Sequence, residues 1–196
     1  MIKVGITGGI GSGKSIACEV FSRIGVPVYN ADNRAKWLMN NNITLKQQLI
    51  ARWGNQVYKN NQLDRSFLAG IIFEDKDAIE FVNSLVHPAV RNDFQEWCSL
   101  HPDEAYVIQE AALLFESNAY NDMDVMVTVF STEKVRIDRV CKRDQVTREQ
   151  VIQRMNNQLP DEEKVKRSDF VVYNNEDQSL LEQTLKLHSL LISRSK

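Results

Sequence analysis

Residues 8–15 read GGIGSGKS and directly follow the short apolar run Lys3–Thr7. The run predicts a strand, and the spacing of apolar residues after the glycines predicts a helix over Gly13–Ile24. This octapeptide satisfies the pattern G-x-x-x-x-G-K-[ST] in the strand–loop–helix context that the pattern requires. Glycines let the backbone curl so that successive N–H groups face an anion, and the helix adds its positive N-terminal end. The stretch therefore predicts a P-loop, which binds the phosphates of a nucleoside triphosphate.

Two side chains of this loop have specific expected tasks. Lys14 reaches the β- and γ-phosphates of a bound nucleotide, and the hydroxyl of Ser15 ligates Mg²⁺. We expect further contacts with the nucleotide from the loop and the start of its helix: Gly9, Gly11, Ser12, Gly13 and Ile16. The alternative is a glycine-rich turn that binds nothing, and the flanking strand and helix disfavour it.

Strands and helices alternate along most of the chain. Four further apolar runs predict strands, over Val26–Asn30, Ala105–Ala111, Asp124–Phe130 and Asp169–Asn174. Helical spacing predicts helices over Thr132–Arg143, Thr147–Asn157 and Asp177–Ser193, the second opened by a capping box of Thr147 with Gln150. Unbroken apolar strands are typical of parallel sheets buried on both faces. The order predicts an α/β P-loop NTPase fold, a five-stranded parallel sheet flanked by helices.

About seventy residues between the second and third strands, Ala31 to Glu104, break this alternation. They contain no convincing strand. Their helical patterns cover Asp32–Asn40, Thr44–Trp53, Asp64–Phe73 and Asp77–Leu100, the last interrupted at Pro88. One interpretation is a helical layer that only supports the sheet. We favour an insertion that covers the site or holds a substrate, because ligands of open α/β sheets bind beyond the carboxyl ends of the strands.

Composition limits the partners and the compartment. The 24 basic residues nearly balance the 26 acidic ones, which argues against a nucleic-acid-binding surface. No apolar stretch approaches the roughly 20 residues of a membrane span, and the N-terminus lacks a secretory pattern. The three cysteines lack metal-ligand spacing and are typical of reduced thiols. We therefore expect a cytoplasmic protein with a small-molecule substrate.

The kind of nucleotide protein follows from what the sequence lacks. A GTPase would show D-x-x-G after a strand and N-K-x-D, and the chain contains neither. A motor or transporter ATPase would be larger. A small P-loop chain with a helical insertion after its second strand is typical of a kinase for a small molecule.

Candidate residues for the acceptor side follow the second and third predicted strands. Asp32 comes directly after the second strand, where a carboxylate can orient an acceptor hydroxyl and take its proton; capping of the next helix is an equally good interpretation. His87 and Arg91, in LVHPAVR, lie four residues apart and can share a helix face. Arg91 could bind a phosphate, whereas a lone histidine beside a proline more often has a structural role. Glu110 ends the third strand, where a carboxylate can hold the Mg²⁺ water shell, and Glu116 follows in the next loop.

Arginines recur at positions 136, 139 and 143, the spacing of one helix face. Exposed helices often carry such charge. Here the polar stretch NNQLPDEEK follows, which favours a lid whose arginines meet the transferring phosphoryl group. Arginine suits that task because its fork of donors matches phosphate oxygens.

The chain resembles the dephospho-CoA kinase family over nearly its whole length. The stretches that carry the resemblance are GITGGIGSGKS, YNADNRA, LVHPAVR, LLFES, RVCKRD, RMNNQLPDEEK and SDFVVYNN. It implies transfer of phosphate from ATP, with Mg²⁺, to the 3′-hydroxyl of dephospho-CoA, and no obligate protein partner. It also implies one P-loop kinase domain over 1–196, with a CoA-binding insertion at 31–104 and a lid at 139–167.

The resemblance also implies roles for single residues. Asp32 matches the family's proposed catalytic aspartate, and Lys14, Arg139 and Arg143 complete the expected catalytic set. We assign acceptor binding to Asp32, His87, Arg91 and Glu116, nucleotide binding additionally to Asn174, and Mg²⁺ to Ser15 and, through water, Glu110.

The chain departs from the usual family pattern at four positions. Asn30 and Glu110 stand where aspartate is usual, Ala112 where proline is usual, and Ile16 where threonine is common. Two other functions remain as alternatives: a kinase of another small acceptor, such as a nucleoside monophosphate, and a nucleotide-dependent switch that binds a protein through its helical insertion.

Overall fold

Strands and helices alternate in the computed structural model, which describes residues 1–175 and 177–195. The strands are β1 (Ile2–Thr7), β2 (Val28–Asn30), β3 (Tyr58–Lys59), β4 (Gln62–Leu63), β5 (Tyr106–Glu110), β6 (Val125–Phe130) and β7 (Phe170–Tyr173). The helices are α1 (Lys14–Arg23), α2 (Ala31–Asn41), α3 (Ile43–Trp53), α4 (Arg65–Glu74), α5 (Lys76–Ser99), α6 (Glu133–Asp144), α7 (Arg148–Met155), α8 (Asp161–Lys166) and α9 (Leu180–Arg194). None of these helices is long and apolar enough to cross a membrane.

The main sheet has the strand order β2-β5-β1-β6-β7, and every neighbouring pair is parallel. This confirms the predicted five-stranded parallel sheet. β1 lies at its centre, with Val4 opposite Ile108 of β5 on one side and Val125 of β6 on the other. The loop that follows β1 therefore leaves the carboxyl edge of the sheet between two buried strands, where parallel α/β sheets bind their ligands.

The chain folds as two compact units. One unit is Ala31–Glu96, and the other comprises the remaining described residues. In the sheet unit, α1 and α9 pack against each other over one core. The largest side chains of that core include Phe21 of α1, Tyr106 of β5 and Leu191 of α9, each at most 2 % exposed.

The smaller unit is helical, and it also contains a hairpin that the sequence patterns did not predict. β3 and β4 pair antiparallel, with Tyr58 opposite Leu63. Asn60 and Asn61 form the turn, and both have positive φ, 49° and 63°. Two consecutive left-handed residues are the requirement of a two-residue hairpin turn whose twist matches its strands, and asparagine tolerates that conformation better than most residues. The pair Asn60 and Asn61 is the sequence feature from which this hairpin could have been predicted.

The predicted interruption at Pro88 is wrong, because α5 continues through the proline. A proline inside a helix removes one N–H donor and normally breaks or kinks the helix. Here buried residues recur every four positions on both sides of Pro88, at Val82, Val86, Val90 and Phe94. Burial of this continuous stripe stabilises the helix across the position, and Pro88 itself is exposed.

Candidate active site

The glycine-rich loop joins β1 to α1 in the predicted way. Gly11 and Gly13 have φ of 81° and 92°, a region that other residues rarely adopt, and Gly13 is the residue before the first turn of α1. The N–H of Ser12 donates to the carbonyl of Gly9 at 3.0 Å, which closes the curl of the loop. This is the backbone geometry that lets a P-loop surround a phosphate.

Glu110, the last residue of β5, is the centre of the polar site behind the loop. Its Oε1 accepts hydrogen bonds from Lys14 Nζ at 2.9 Å and Ser15 Oγ at 2.7 Å. Its Oε2 accepts one from Asn30 Nδ2 at 2.9 Å. The sequence placed a carboxylate at this strand end, but it did not predict these three contacts. The contact with Asn30 follows from the sheet order, which places Asn30 of β2 and Glu110 of β5 in register.

The carboxyl of Glu110 is nearly inaccessible, with 4 % of the residue exposed. Burial alone would raise its pKa, but the charge of Lys14 and the hydrogen bonds from Lys14, Ser15 and Asn30 outweigh burial and lower it. The group is therefore a carboxylate at neutral pH. A negative oxygen ligand lies within hydrogen-bond distance of the Ser15 hydroxyl.

The contact with Asn30 gives a physical reason for an amide beside Glu110. An aspartate at position 30 would bring a second carboxylate against Glu110, whereas the amide of Asn30 donates a hydrogen bond to it. Like charges this close destabilise each other. Asn30 and Glu110 are therefore a matched pair, in which the longer acid is held by an amide.

Cys18, Cys98 and Cys141 are not joined by disulfides in the structure. Cys18 lies one turn along α1 from Lys14 and is buried. Burial raises the pKa of its thiol strongly, and the nearby charge of Glu110 raises it further. A thiol held in its neutral form is a poor nucleophile, so Cys18 is a core residue.

Asn174, which follows β7, lies against the opposite side of the loop. Its Nδ2 donates to the Ser12 carbonyl at 2.8 Å, and a Cβ added to Gly13 would lie 2.0 Å from that nitrogen. Arg139 of α6 joins this group, because it donates to the Asn174 carbonyl at 3.0 Å and to Ser131 Oγ at 3.1 Å. The structure thus brings Arg139 and Asn174 together beside the P-loop.

The other arginines of α6 have different surroundings. Arg143 is exposed and pairs with Asp144 at 2.7 Å, an acid that it shares with Arg154. Arg136 is buried, and its Nη1 lies 2.6 Å from Asp161 Oδ2. Burial raises the pKa of the Asp161 carboxyl, while the charge of Arg136 opposes that rise. The sequence suggested one arginine face for the whole helix and gave no sign of this buried pair.

Glu116 lies in the loop after β5 and contacts the segment around α8. Its Oε1 accepts from the N–H of Leu159 at 2.7 Å and from Lys164 Nζ at 3.0 Å. Lys164 is fully buried and also donates to the Ala112 carbonyl at 3.1 Å. A fully buried lysine requires such partners, because a charge away from water is otherwise costly. Lys164 was not predicted as part of any site.

The remaining candidates lie in the helical unit. Asp32 is exposed and is the second residue of α2, which begins at Ala31 directly after β2. It therefore lies inside the first turn rather than at the capping position. His87 and Arg91 are one turn apart on α5. His87 is half-buried, and burial lowers its pKa, while Arg91 is exposed.

In the described part of the chain, no three His, Cys, Asp or Glu side chains form a metal-binding group. Mg²⁺ in kinases does not require one, because it is held by one or two protein oxygens, waters and the phosphates of the nucleotide. The Ser15 hydroxyl and the Glu110 carboxylate are hard oxygen ligands of the right kind, so the residues present fit this ion.

The chain is similar to known proteins over nearly its whole length. The model of the dephospho-CoA kinase family matches residues 2–179. The dephospho-CoA kinase of Bacteroides fragilis is 35% identical over 194 residues, which cover 98% of this chain and 94% of that protein. That of Porphyromonas gingivalis is 37% identical over 188 residues, covering 95% and 93%. The crystal structure of TT1252 from Thermus thermophilus superposes with a TM-score of 0.85, at 32% identity and 96% coverage of both chains.

Proposed function

The chain belongs to the dephospho-CoA kinase family, and from that membership we propose that it transfers the γ-phosphoryl group of ATP to the 3′-hydroxyl of dephospho-CoA, giving coenzyme A and ADP. The observation that carries the proposal is the P-loop after β1, where Lys14 and Ser15 both contact Glu110 at the end of β5. A phosphate-binding loop, a lysine and a carboxylate at the end of a strand are parts that phosphoryl transfer uses.

ATP binding is the task of the loop and of the residues beside it. The backbone N–H groups of residues 8–15 surround the phosphates, and Lys14 exchanges its contact with Glu110 for the β- and γ-phosphates. Asn174 and Arg139 already lie against the loop through Ser12 and Ser131. Gly9, Gly11, Gly13 and Ile16 complete the nucleotide site.

Ser15 and Glu110 are the residues that would hold Mg²⁺, Ser15 directly and Glu110 through water. When bound, the ion offsets the charge of the β- and γ-phosphate oxygens. The hydrogen bond from Asn30 fixes one oxygen of Glu110, which leaves the other facing Ser15 and Lys14. This supports the proposal that Glu110 can hold Mg²⁺ through water, as the shorter aspartate usual at this position would.

Asp32 is the proposed base for the acceptor hydroxyl. It follows Asn30 by two residues, and Asn30 is itself bonded to Glu110. A carboxylate there orients the 3′-hydroxyl and accepts its proton late in transfer. His87 and Arg91 of α5, with Glu116, are proposed to bind the rest of the acceptor, Arg91 through its phosphates.

Arg139 and Arg143 are proposed to meet the transferring phosphoryl group from the lid, residues 139–167. Transfer of a phosphoryl group needs little covalent chemistry from the protein, so positioning and charge stabilisation supply most of the acceleration. We also propose that the enzyme works in the cytoplasm, which its free thiols support, and that it requires no protein or nucleic-acid partner.

The test is an ADP-release assay with ATP, Mg²⁺ and a panel of acceptors. We expect turnover with dephospho-CoA that exceeds turnover with any nucleoside monophosphate, and a product that carries the new phosphate on the 3′-oxygen by ³¹P and ¹H NMR. A preference for a nucleoside monophosphate would replace the proposed acceptor. ADP release that is indifferent to every acceptor would favour the nucleotide-dependent switch.

A further inference from the structure

We propose that Arg136, through its buried ion pair with Asp161, is a positioning residue that holds the first part of the P-loop, Gly8–Ser12, in the shape that binds ATP. This inference rests on the proposed nucleotide site. It assigns Arg136 a task different from that of Arg139 and Arg143, although all three arginines lie on α6.

The ion pair of Arg136 and Asp161 is buried and lies against the loop. Arg136 Nη1 lies 2.6 Å from Asp161 Oδ2, and the two side chains are only 8% and 7% exposed. Removal of either partner alone should destabilise the fold, because it leaves an uncompensated charge out of water. In this proposal the guanidinium keeps its contact with Asp161 and acts on the nucleotide through the loop backbone.

Gly9 shows how closely the pair contacts the loop. A Cβ added to Gly9 would lie 1.7 Å from Arg136 Nη1 and 2.7 Å from Asp161 Oδ1. Gly9 is not among the glycines with positive φ, so its backbone conformation is one that other residues also adopt. The second position of the P-loop pattern also accepts any residue. The space taken by the ion pair is therefore the reason for glycine at this position.

Two further contacts connect the same elements to the loop. The N–H of Ile10 donates to Gln158 Oε1 at 2.9 Å, three residues before Asp161. A Cβ added to Gly11 would lie 2.6 Å from the Arg136 carbonyl, so the backbone of α6 also lies against the loop. Gly9, Ile10 and Gly11 thus contact α6 or the segment that leads into α8.

Asp161 is itself held in place from the other end of its helix. Lys164, one turn along α8, is fully buried and donates to the Ala112 carbonyl and to Glu116. Because α8 is anchored there, Asp161 can act as a fixed partner for Arg136. The loop is therefore positioned by an element that is itself attached to the segment after β5.

The main test replaces the whole pair by apolar residues, in Arg136→Met/Asp161→Leu. Replacement of both charges avoids a lone buried charge, and such replacements are often neutral for stability. We expect a Tm within about 5 °C of the wild type, together with a Kd for ATP raised about tenfold because the loop loses its support. The KM for the acceptor should change by less than about threefold, since the proposed effect is on the loop that binds the nucleotide.

The matched control is Glu163→Leu/Lys166→Met, which removes an exposed ion pair from the same helix. It should leave the Kd for ATP unchanged. The Kd is measured by calorimetry with ATP and without acceptor, so it does not depend on turnover. A wild-type Kd for ATP in the folded Arg136→Met/Asp161→Leu protein overturns the proposal.

Asp161→Asn provides a milder variant if the double replacement does not fold. It keeps the shape and a hydrogen-bond acceptor but removes the charge that holds Arg136. We expect the Kd for ATP to rise about threefold or more, because charged hydrogen bonds are roughly twice as strong as neutral ones. An unchanged Kd in this protein also overturns the proposal.

A double-mutant cycle tests the explanation for Gly9. Gly9→Ala should weaken ATP binding strongly in the wild type and much less in an Arg136→Ala/Asp161→Ala background, where both side chains that the methyl group would meet are shortened. Equal effects in the two backgrounds contradict the proposal. If the wild-type protein itself binds no ATP, the proposed nucleotide site fails instead, so the two failures are distinguishable.

Discussion

Lys14 Nζ lies 2.9 Å from Glu110 Oε1, so the cation of the P-loop and the carboxylate at the end of β5 form a buried ion pair. The same carboxylate oxygen accepts from Ser15. In the proposed mechanism, a triphosphate with Mg²⁺ would offer Lys14 a stronger anion and give Glu110 a cation in exchange. Without a nucleotide, the pair compensates both charges.

The first prediction is that Lys14→Ala abolishes transfer and weakens ATP binding. The substitution removes the cation expected at the β- and γ-phosphates, and it also leaves Glu110 without its ion-pair partner. Steady-state turnover and calorimetry with ATP measure the two effects. Lys166→Ala, an exposed lysine on α8, is the control. Retention of more than about a tenth of wild-type turnover would contradict the role, since loss of one preorganised charge typically costs at least a hundredfold.

The second prediction concerns the match between Asn30 and Glu110. Asn30→Ala removes one hydrogen bond to Glu110, whereas Asn30→Asp removes it and adds a like charge. We expect Asn30→Asp to lower the Tm more than Asn30→Ala does, because the added carboxylate has the same charge as Glu110 beside it. Thermal melts at neutral pH without nucleotide make the comparison. Equal stability of the two variants would show that the carboxylates do not interact.

Much of the fold follows from the period of the sequence. Apolar runs such as the one in Asp124–Phe130 predicted the parallel strands, here β6 (Val125–Phe130), and the capping box of Thr147 with Gln150 is confirmed at the start of α7. These features depend on neighbouring residues only. Pro88 was misjudged because its local effect on a helix is outweighed by the buried stripe on both sides of it.

Contacts between distant residues were not predictable in the same way. Asn30 and Glu110 meet because β2 and β5 are neighbours, an order that no single strand pattern contains. Arg136 and Asp161 are 25 positions apart on two different helices. In sequence, both look like ordinary charged residues of solvent-exposed helices, and only the folded structure brings them together as a buried pair.

The third prediction is a pH dependence of stability from His87. Burial lowers its pKa below the ordinary 6.5, so the unfolded chain binds a proton more readily than the folded one. The folded state is therefore destabilised as the pH falls below about 6.5, and no contribution exists well above that pH. We expect the loss of Tm between neutral and mildly acidic pH to be smaller in His87→Gln than in the wild type. Parallel curves for the two proteins would contradict this.

The fourth prediction tests whether Arg143 has a role in transfer besides its ion pair at the surface. Arg143 pairs with Asp144 at the surface, as Arg154 does. If Arg143 meets the phosphoryl group only during transfer, Arg143→Ala should lower kcat more than it raises the KM for ATP. Arg154→Ala is the control, since it removes the other arginine of the same acid. An unchanged kcat in Arg143→Ala would leave Arg143 as a partner of Asp144 alone.

The last prediction tests Asp32 as the base. Asp32 lies in the first turn of α2, where its charge also favours the helix end. Asp32→Asn keeps the size of the side chain and removes both the charge and the proton acceptor. We expect kcat to fall by roughly 10²–10⁴-fold, the usual contribution of a positioned base. The helix loses only about 0.3–1 kcal/mol, and the Kd for ATP should not change, because the P-loop holds the phosphates.

Asp77→Asn is the matched control, because Asp77 is an exposed acid in the first turn of α5 and has the same relation to a helix end. Both variants should lower the Tm slightly and to a similar extent. Only Asp32→Asn should lose turnover, since only Asp32 is proposed to contact the acceptor hydroxyl. Equal and near wild-type kcat values in the two folded variants would reduce Asp32 to a helix-stabilising charge, and the proton of the 3′-hydroxyl would then need a different acceptor.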